Sequence, residues 1–578
     1  MYILGLTTMT ESAAVLLKDG VVVAAAEEER FSRRKHQGGF PHRAIRYVLD
    51  AEGIQMRDIA DVAVYWNPYR FGHRVKVLAA SFARHPKTAW AKIRRARQVW
   101  NGGSGEGSGW STLFRLRQEF VHHFGAAPSR LRYLDHHRCH MAAAFFASPF
   151  EESAILIMDG AGEEACTTLG VGRGGELGKL AELRLPHSLG HFYSAVTGYL
   201  GFRMLDGEYK MMGLSPAGDP AGAVWIRKHF LQSPRSGQYV LRPEVLDYHR
   251  ALRGNFDGEF ARHFGPPREP DEADDVLDRH RDVAASAQRA FEEVVLDLSA
   301  WLRRETGLTS VAIGGGCGLN CTANGRILTS GIFERVYVPP VPHDAGGALG
   351  AAMLCYSEVT GRRPAPIRHA QYGPGFDDEQ VRIAVRDRVG LTAVHCSEVE
   401  LVGLAADSLA RGEIVAWMQG RMEYGPRALG NRSFLASPLS DGVVGEMNEK
   451  IKKREPFRPF APSVKEESAS DYFEISQDSP FMTIIVPVRQ DKRSTIPAVT
   501  HVDGSARPQT VSREANPRYW SLIDQFQHRT GVPVVLNTSF NIQEPIVCTP
   551  EEAMDTYCRS GVEAMAIGNY WVTRGEAT

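Results

Sequence analysis

The sequence lacks what would mark a secreted, membrane-spanning or nucleic-acid-coating protein. No apolar run approaches the roughly 20 residues that a membrane span needs. The opening stretch MYILGLTTMTESAAVLL carries no basic leader and is interrupted by Thr7, Thr8, Thr10 and Glu11, so it does not read as a signal peptide. Eight cysteines are scattered over 578 residues without a C-x-x-C pair, a pattern that argues against a disulfide framework or zinc ribbon and predicts reduced thiols in a cytoplasm. Neither charge sign dominates: 67 Lys and Arg stand against 68 Asp and Glu, and a formal charge of −1 gives no global pull toward nucleic acid or an anionic membrane. Repeats at the 20 to 50 residue scale are missing too.

What is present is a large globular composition, 43% hydrophobic and 23% charged. Single cores stop growing near roughly 250 to 300 residues, so more than one domain is expected. The sharpest break is GRRPAPIRHAQYGPGFDDEQ, where proline, glycine and charge replace a periodic apolar pattern. We read residues 1–360 as one α/β domain, 361–375 as linker and 376–578 as a second, more compact α/β domain. The first opens with YILGL, SAAVLLKDG and VVVAAAEEERF, an antiparallel hairpin turning at Asp19-Gly20 and leading into a helix that carries RRKH. Two further strands end in glycine, ILIMDGAGE and SVAIGGGCGLN, and three such junctions suggest a nucleotide clamp of two related lobes. A basic stretch, FARHPKTAWAKIRRARQVW followed by NGGSGEGSG, reads as a solvated helix face and surface loop, with a lid as the alternative; GPPREPDEADD reads as a surface excursion before a long helix.

Two constellations carry chemistry. In LDHHRCHMAAAFF, His136 and His140 lie four apart, which places both imidazoles on one helix face within reach of one ion. Such a pair alone is more often a partly buried helix with ordinary hydrogen-bonded histidines. Asp159 and Asp344, each at a strand end among small residues, strengthen the metal reading, and two nitrogens with two carboxylates suit iron, zinc or manganese. His137 and Asp135 are candidates to support those ligands. GGGCGLNCTAN offers Asn320 and Asn324 to a nucleotide, with a tight turn as the plain alternative. In the second domain, Arg421, Arg427 and Arg432 are followed by Lys452, Lys453, Arg454 and Arg458; Arg507 and the strand-end run LNTSFN, with Asn537, Thr538, Ser539 and Asn541, complete a candidate phosphate pocket. Taken alone, that charged run is more often a solvated face.

In order along nearly the whole chain, SAAVLLKDG, AAAEEERFSRRKH, HHRCH, DGAGE, GEYKMMGLSPAG, GGGCGLNCTAN and HDAGGALGAA resemble the O-carbamoyltransferases of antibiotic and nodulation-factor biosynthesis. The resemblance implies an actin-like ATPase-type domain of two lobes, related to the tRNA threonylcarbamoyl transferase, joined to a YrdC-like domain. It implies iron(II), or a similar ion, on His136, His140, Asp159 and Asp344, and Lys35, Gly213, Gly316 and Asn320 around a carbamoyl adenylate. It further implies that Arg427, Lys452, Arg458, Arg507, Asn537 and Ser539 bind carbamoyl phosphate and ATP, the latter bringing magnesium, with Lys452 and Arg458 acting in catalysis. The expected partners are these two cosubstrates and a hydroxylated small molecule whose identity the sequence withholds; no nucleic acid or membrane partner is expected, and assembly of identical chains stays open. One departure stands out. The family often has a histidine, a candidate base for the acceptor hydroxyl, where this chain has Thr10 and Glu11; Glu11 is the candidate for that role, with another group or a different mode of acceptor binding as the alternatives. The rival readings are a tRNA-directed threonylcarbamoyl-type transferase, which would need a basic recognition stripe, and a non-catalytic actin-like nucleotide sensor, which would not need the arginine pocket.

Overall fold

A computed structural model describes residues 1–70, 72–84, 110–242, 258–269, 276–386 and 388–575. Most of the basic stretch between 82 and 109, and the acidic end of the 265–275 excursion, lie outside the described residues. The chain divides into two compact units, Met1–Ala24 with His36–Pro366, and Ala25–Lys35 with Ile367–Thr578. The division differs from the sequence reading in two respects: residues 361–375, read as a linker, divide between the units at Pro366 and Ile367, and Ala25–Lys35 folds with the second unit although it stands near the start of the chain. The cause is specific bonding. Arg30 donates to the Gly425 carbonyl at 2.7 Å, Arg33 donates to the carbonyls of Pro545 and Ile546, and Phe31 packs on Met422, Ile546 and Cys548. The helix expected to carry RRKH stops at Ser32, because Arg33 takes a left-handed conformation at φ 58°.

The first unit contains two five-stranded sheets of one topology. In the first, β1 (Tyr2–Thr7), β2 (Ala13–Lys18), β3 (Val21–Glu27), β4 (Ile59–Val64) and β5 (Leu131–Tyr133) run in the order β3-β2-β1-β4-β5. In the other, β6 (Glu152–Met158), β7 (Ala165–Arg173), β8 (Glu176–Arg184), β9 (Ser310–Gly314) and β10 (Arg335–Tyr337) run as β8-β7-β6-β9-β10. In both, the first strand pairs antiparallel with the second and parallel with the fourth, which pairs parallel with the fifth. This is the two-lobed actin-like arrangement. The β2–β3 hairpin turns on Asp19 and Gly20, both at positive φ (51° and 85°), as a two-residue primed turn requires.

Five helices position the site of this unit: α1 (His136–Phe146), α2 (Leu189–Tyr199), α3 (Asp278–Thr306), α4 (Cys321–Thr329) and α5 (Gly346–Thr360). Small residues in α5 serve close packing. A Cβ on Gly350 would lie 1.9 Å from the Cys139 carbonyl of α1, and one on Gly5 of β1 would lie 2.0 Å from the Ala348 carbonyl. Thus HDAGGALGAA seats α5 directly on α1 and β1, and so fixes Asp344 relative to His136 and His140.

The second unit is built on a mixed eight-stranded sheet with strands β11 (Leu391–His395), β12 (Val415–Met418), β13 (Arg432–Ala436), β14 (Ala461–Lys465), β15 (Gln509–Val511), β16 (Val534–Ser539), β17 (Ala564–Ile567) and β18 (Tyr570–Arg574), in the order β11-β18-β17-β12-β13-β16-β14-β15. Helices α6 (Glu398–Ala410) and α7 (Pro517–Thr530) pack Leu401, Leu409, Leu522 and Phe526 on Trp417 and Val535 of that sheet. A further short strand, Val486–Pro487, pairs antiparallel with Ser505–Ala506 outside this sheet.

Candidate functional site

In the first unit α1 begins at Asp135, whose carboxylate accepts from the Arg138 N–H and caps the helix. The cap orients the first turn, and the Nε2 atoms of His136 and His140 come to 3.1 Å of each other. Asp159, at the end of β6, places Oδ2 3.1 Å from His136 Nε2, and Asp344 places Oδ1 3.7 Å from both imidazoles. His136, His140 and Asp159 are buried and Asp344 is half-buried; all four donor atoms lie within 4.8 Å of one another. Ligands about 2.1 Å from one ion stand roughly 3.0 Å apart at octahedral and 3.4 Å apart at tetrahedral angles. The spacing therefore fits one divalent ion, and two converging Nε2 lone pairs have no better use in a buried site.

The surroundings hold this cluster rigid. Glu163, absent from the sequence-derived set although it stands in the DGAGE motif, accepts from the His136 N–H at 3.1 Å and the Asn67 N–H at 2.7 Å. Burial pushes its carboxyl above the usual range. His137 turns away from the cluster and bonds Thr168 Oγ1 at 2.8 Å, and burial pushes its pKa well down. Asp135 is spent on the helix cap. Thr10 donates its hydroxyl to Asp344 Oδ2 at 2.8 Å, so it orients a ligand carboxylate where a base had been sought. Glu11, the next residue, bonds His36, which in turn bonds Asp206, and neither of these last two was singled out from sequence.

The glycine cluster touches the same carboxylate. The Gly316 N–H donates to Asp159 Oδ1 at 2.8 Å, and Gly315, at φ 83°, has no room for a Cβ, which would lie 2.2 Å from the Met158 carbonyl. Asn320 is already engaged: its amide pairs with that of Gln288 at 3.0 Å in both directions and its oxygen caps α4 through the Ala323 N–H. Asn324 Nδ2 bonds the Gly318 carbonyl. Both asparagines thus shape the loop, while Gly213 sits in the helix Glu208–Leu214. Lys35 belongs to the second unit, whereas Gly213, Gly316 and Asn320 belong to the first.

In the second unit the arginines of GRMEYGPRALGNRS separate by role. Arg432, with no exposed surface, donates to carbonyls of Gln419, Gly420, Asn431, Cys548 and Pro374, and Arg421 donates to those of Tyr372 and Gly373. Glu423 Oε1 gathers the N–H groups of Leu429, Asn431 and Arg432 and so folds the loop that carries Arg427. Lys452, buried, donates from Nζ to the carbonyls of Ser539 and Asn541 at 2.7 and 2.8 Å, to Asn541 Oδ1 at 2.8 Å and to Ser539 Oγ at 3.2 Å. Burial, then the charges of Arg454, Arg458 and Lys35, drives its pKa well below that of an ordinary lysine. Asn537 bonds Ser463 Oγ, Gln509 Oε1 and the Ala428 carbonyl. A separate cleft of about 390 Å³, lined by Asp377, Glu398, Gln419, Asn431, Asn516 and Arg518 among others, contains none of the residues expected to bind phosphate. We give the cationic cluster more weight, because an anion site is defined by its charges and donors and not by empty volume.

Residues 2–353 match a family model described as Carbamoyltransferase N-terminus, and residues 406–574 match one described as Carbamoyltransferase C-terminus. The chain belongs to the carbamoyltransferase family. It is therefore an enzyme of carbamoyl transfer. The nodulation protein NolNO of Sinorhizobium fredii is 38% identical over 99% of this chain and 80% of its own length. The 3'-hydroxymethylcephem-O-carbamoyltransferase of Amycolatopsis lactamdurans is 38% identical over 46% of this chain and 49% of its own. Full-length HypF in its phosphate- and nucleotide-bound form aligns over 62% of this chain and 56% of that one, with 14% identity and a TM-score of 0.34, too slight a likeness to bear on function. No helix among the described residues is long and apolar enough to cross a membrane.

Proposed function

We propose that this carbamoyltransferase forms a carbamoyl adenylate from carbamoyl phosphate and ATP in its second unit and passes the carbamoyl group to a hydroxyl of a small molecule in its first. The observation that carries the reading is the Lys452 cluster. A buried ammonium held by four neutral acceptors, with Arg454, Arg458 and Lys35 close enough to repel it, is a poor arrangement for an empty protein and a good one around an anion. Arg427, Arg458 and Arg507 neutralise the phosphates, Lys452 holds the strand end at Ser539 and Asn541 against them, and the Asn537 network fixes the pocket floor. Water first cleaves carbamoyl phosphate to carbamate and inorganic phosphate; a carbamate oxygen then attacks the α-phosphorus of ATP and expels pyrophosphate, which needs this neutralisation and alignment more than it needs a covalent nucleophile. Magnesium enters with the nucleotide.

In the first unit His136, His140, Asp159 and Asp344 would hold a divalent ion, which we take to be iron(II), and Thr10 and Glu163 fix two of those residues. When bound, the ion supplies Lewis-acid neutralisation of phosphate charge. Gly316, next to Asp159, lets the adenylate approach the backbone. Glu11 accepts the proton of the acceptor hydroxyl. The relative named for O-carbamoylation of a hydroxymethylcephem supports an acceptor of small, hydroxylated type.

The test is exchange of labelled pyrophosphate into ATP. Exchange that depends on carbamoyl phosphate is the expected result; exchange without that dependence, or none at all, removes the adenylate from the mechanism.

A further inference from the structure

We propose that His36 is a positioning residue of the transfer site, holding the Glu11 carboxylate in the orientation from which it takes the acceptor's proton. The inference rests on the reading above, in which Glu11 is the base. It is carried by geometry. Glu11 follows Thr10, whose hydroxyl is bonded to Asp344, so Glu11 stands beside the metal cluster. His36 Nδ1 lies 2.9 Å from Glu11 Oε1, and its Nε2 lies 2.9 Å from Asp206 Oδ1. A ring clamped at both nitrogens by carboxylates carries both protons; the hydrogen bonds to Asp206 and Glu11 raise its pKa to about 10. The imidazole occupies Oε1. Oε2, which has His343 Nε2 3.5 Å away, is the oxygen left to meet a substrate.

The backbone supports the same assignment. Glu11 and His36, which face each other, are both non-glycine residues at φ 53°, a left-handed conformation that side chains rarely adopt. Strain at both members of one contact is placed where a side chain must be aimed. The two segments are also tied without the ring: the Ser12 N–H and Oγ donate to the Gln37 carbonyl at 2.8 Å, and the Gly39 N–H donates to the Thr8 carbonyl at 3.1 Å; within the first segment Thr7 Oγ1 donates to the Glu11 carbonyl at 3.0 Å. Removing the imidazole should free the Glu11 carboxylate while leaving the loop in place. Arg203 lies 3.7 Å from Asp206 at this end.

In the step itself the acceptor O–H bond breaks toward Glu11 Oε2 and the oxygen's electron pair forms the bond to the carbamoyl carbon. The carbon–oxygen bond to phosphate breaks with its electrons leaving on AMP, and the proton later passes from Glu11 to solvent. A hydroxyl nucleophile needs the base; hydroxylamine, already strongly nucleophilic when neutral, does not. The experiment uses the full chain with ATP and carbamoyl phosphate, and compares AMP release to water with capture as hydroxyurea by hydroxylamine. In His36→Ala, release to water should fall at least about tenfold while capture changes less than about twofold, and added imidazole should restore part of the loss. Equal falls in both reactions, or an unchanged rate to water, would overturn the positioning role alone. Failure of the wild-type protein to form hydroxyurea would overturn the adenylate reading and this inference with it.

Discussion

Lys452→Met tests whether the cationic cluster of the second unit exists for an anion. The lysine's own environment opposes its charge, first by burial and then through Arg454, Arg458 and Lys35, so a bound phosphate relieves a repulsion present in the free protein. At a phosphate or pyrophosphate concentration 100 times the dissociation constant, binding to the folded state stabilises it by about 2.7 kcal/mol. For a domain of this size that is a rise of roughly 5–11 °C in the melting transition. Losing the lysine's charge and the strand end it holds should weaken anion binding by about 1.5–3 kcal/mol, the scale of one charge-assisted contact, or roughly 10- to 150-fold. At the same anion concentration the variant should then gain only about 0.3–1.4 kcal/mol. The measurement is differential scanning fluorimetry with phosphate or pyrophosphate against chloride at matched ionic strength. The pH dependence gives a second readout. A lysine whose folded pKa is depressed binds fewer protons folded than unfolded, so without anion the stability rises with pH between the depressed value and the ordinary 10.5. Phosphate should flatten that slope in the wild type only. Equal melting shifts in wild type and Lys452→Met would refute the reasoning and place the anion elsewhere.

Three further outcomes follow from named contacts. His140→Ala should lose bound iron, zinc or manganese by elemental analysis after dialysis while keeping carbamoyl-phosphate-dependent pyrophosphate exchange; retained stoichiometric metal would exclude the four-residue cluster as its holder. Thr10→Val, which removes the hydroxyl from Asp344 Oδ2, should weaken metal affinity about 10- to 100-fold in a chelator competition, and an unchanged affinity would make that bond incidental. Glu423→Ala strands three buried N–H groups at about 1–3 kcal/mol each, so urea unfolding of the second unit should lose at least about 3 kcal/mol; a loss under about 1 kcal/mol would mean that the loop carrying Arg427 folds without it.

The residues that declare themselves in sequence are those whose spacing is itself the geometry. His136 and His140 are four apart on a helix, Asp159 ends a strand, Asp19-Gly20 fits one turn type, and all behave as local periodicity requires. What sequence leaves hidden is long-range pairing. His36 reads as one more basic residue of RRKH, and only the fold places it between Glu11, 25 residues before it, and Asp206, 170 residues after it. Arg421 and Arg432 read as phosphate ligands from charge density, yet both are consumed by backbone carbonyls, because a loop that turns this sharply leaves acceptors that only a long multi-donor side chain can reach. Glycines mislead in the same way: those of HDAGGALGAA stand beside a candidate ligand, yet Gly346 faces the Val341 carbonyl, Gly347 the Tyr65 ring and Gly350 the neighbouring helix at Cys139.

The substitution at Thr10 shows how such hidden pairing changes a chemical reading. Taken from sequence, a threonine in place of a histidine removes a base and leaves a gap. In the folded chain the threonine is not idle, since its hydroxyl holds the second oxygen of Asp344 and leaves Oδ1 turned toward the two imidazoles. The turn it begins then carries Glu11 into a left-handed conformation against an imidazolium that lies elsewhere in the chain. A histidine base needs to be neutral to act and is lost as pH falls through about 6.5, whereas a glutamate base in general is lost only near about 4.3. Carbamoyl transfer by this chain should therefore persist into mildly acidic solution, to about pH 5.5, where a histidine-based enzyme would already have lost its base. A pH profile of AMP release to water that fell away near pH 6.5, and did so equally in Glu11→Gln, would show that another group does the work.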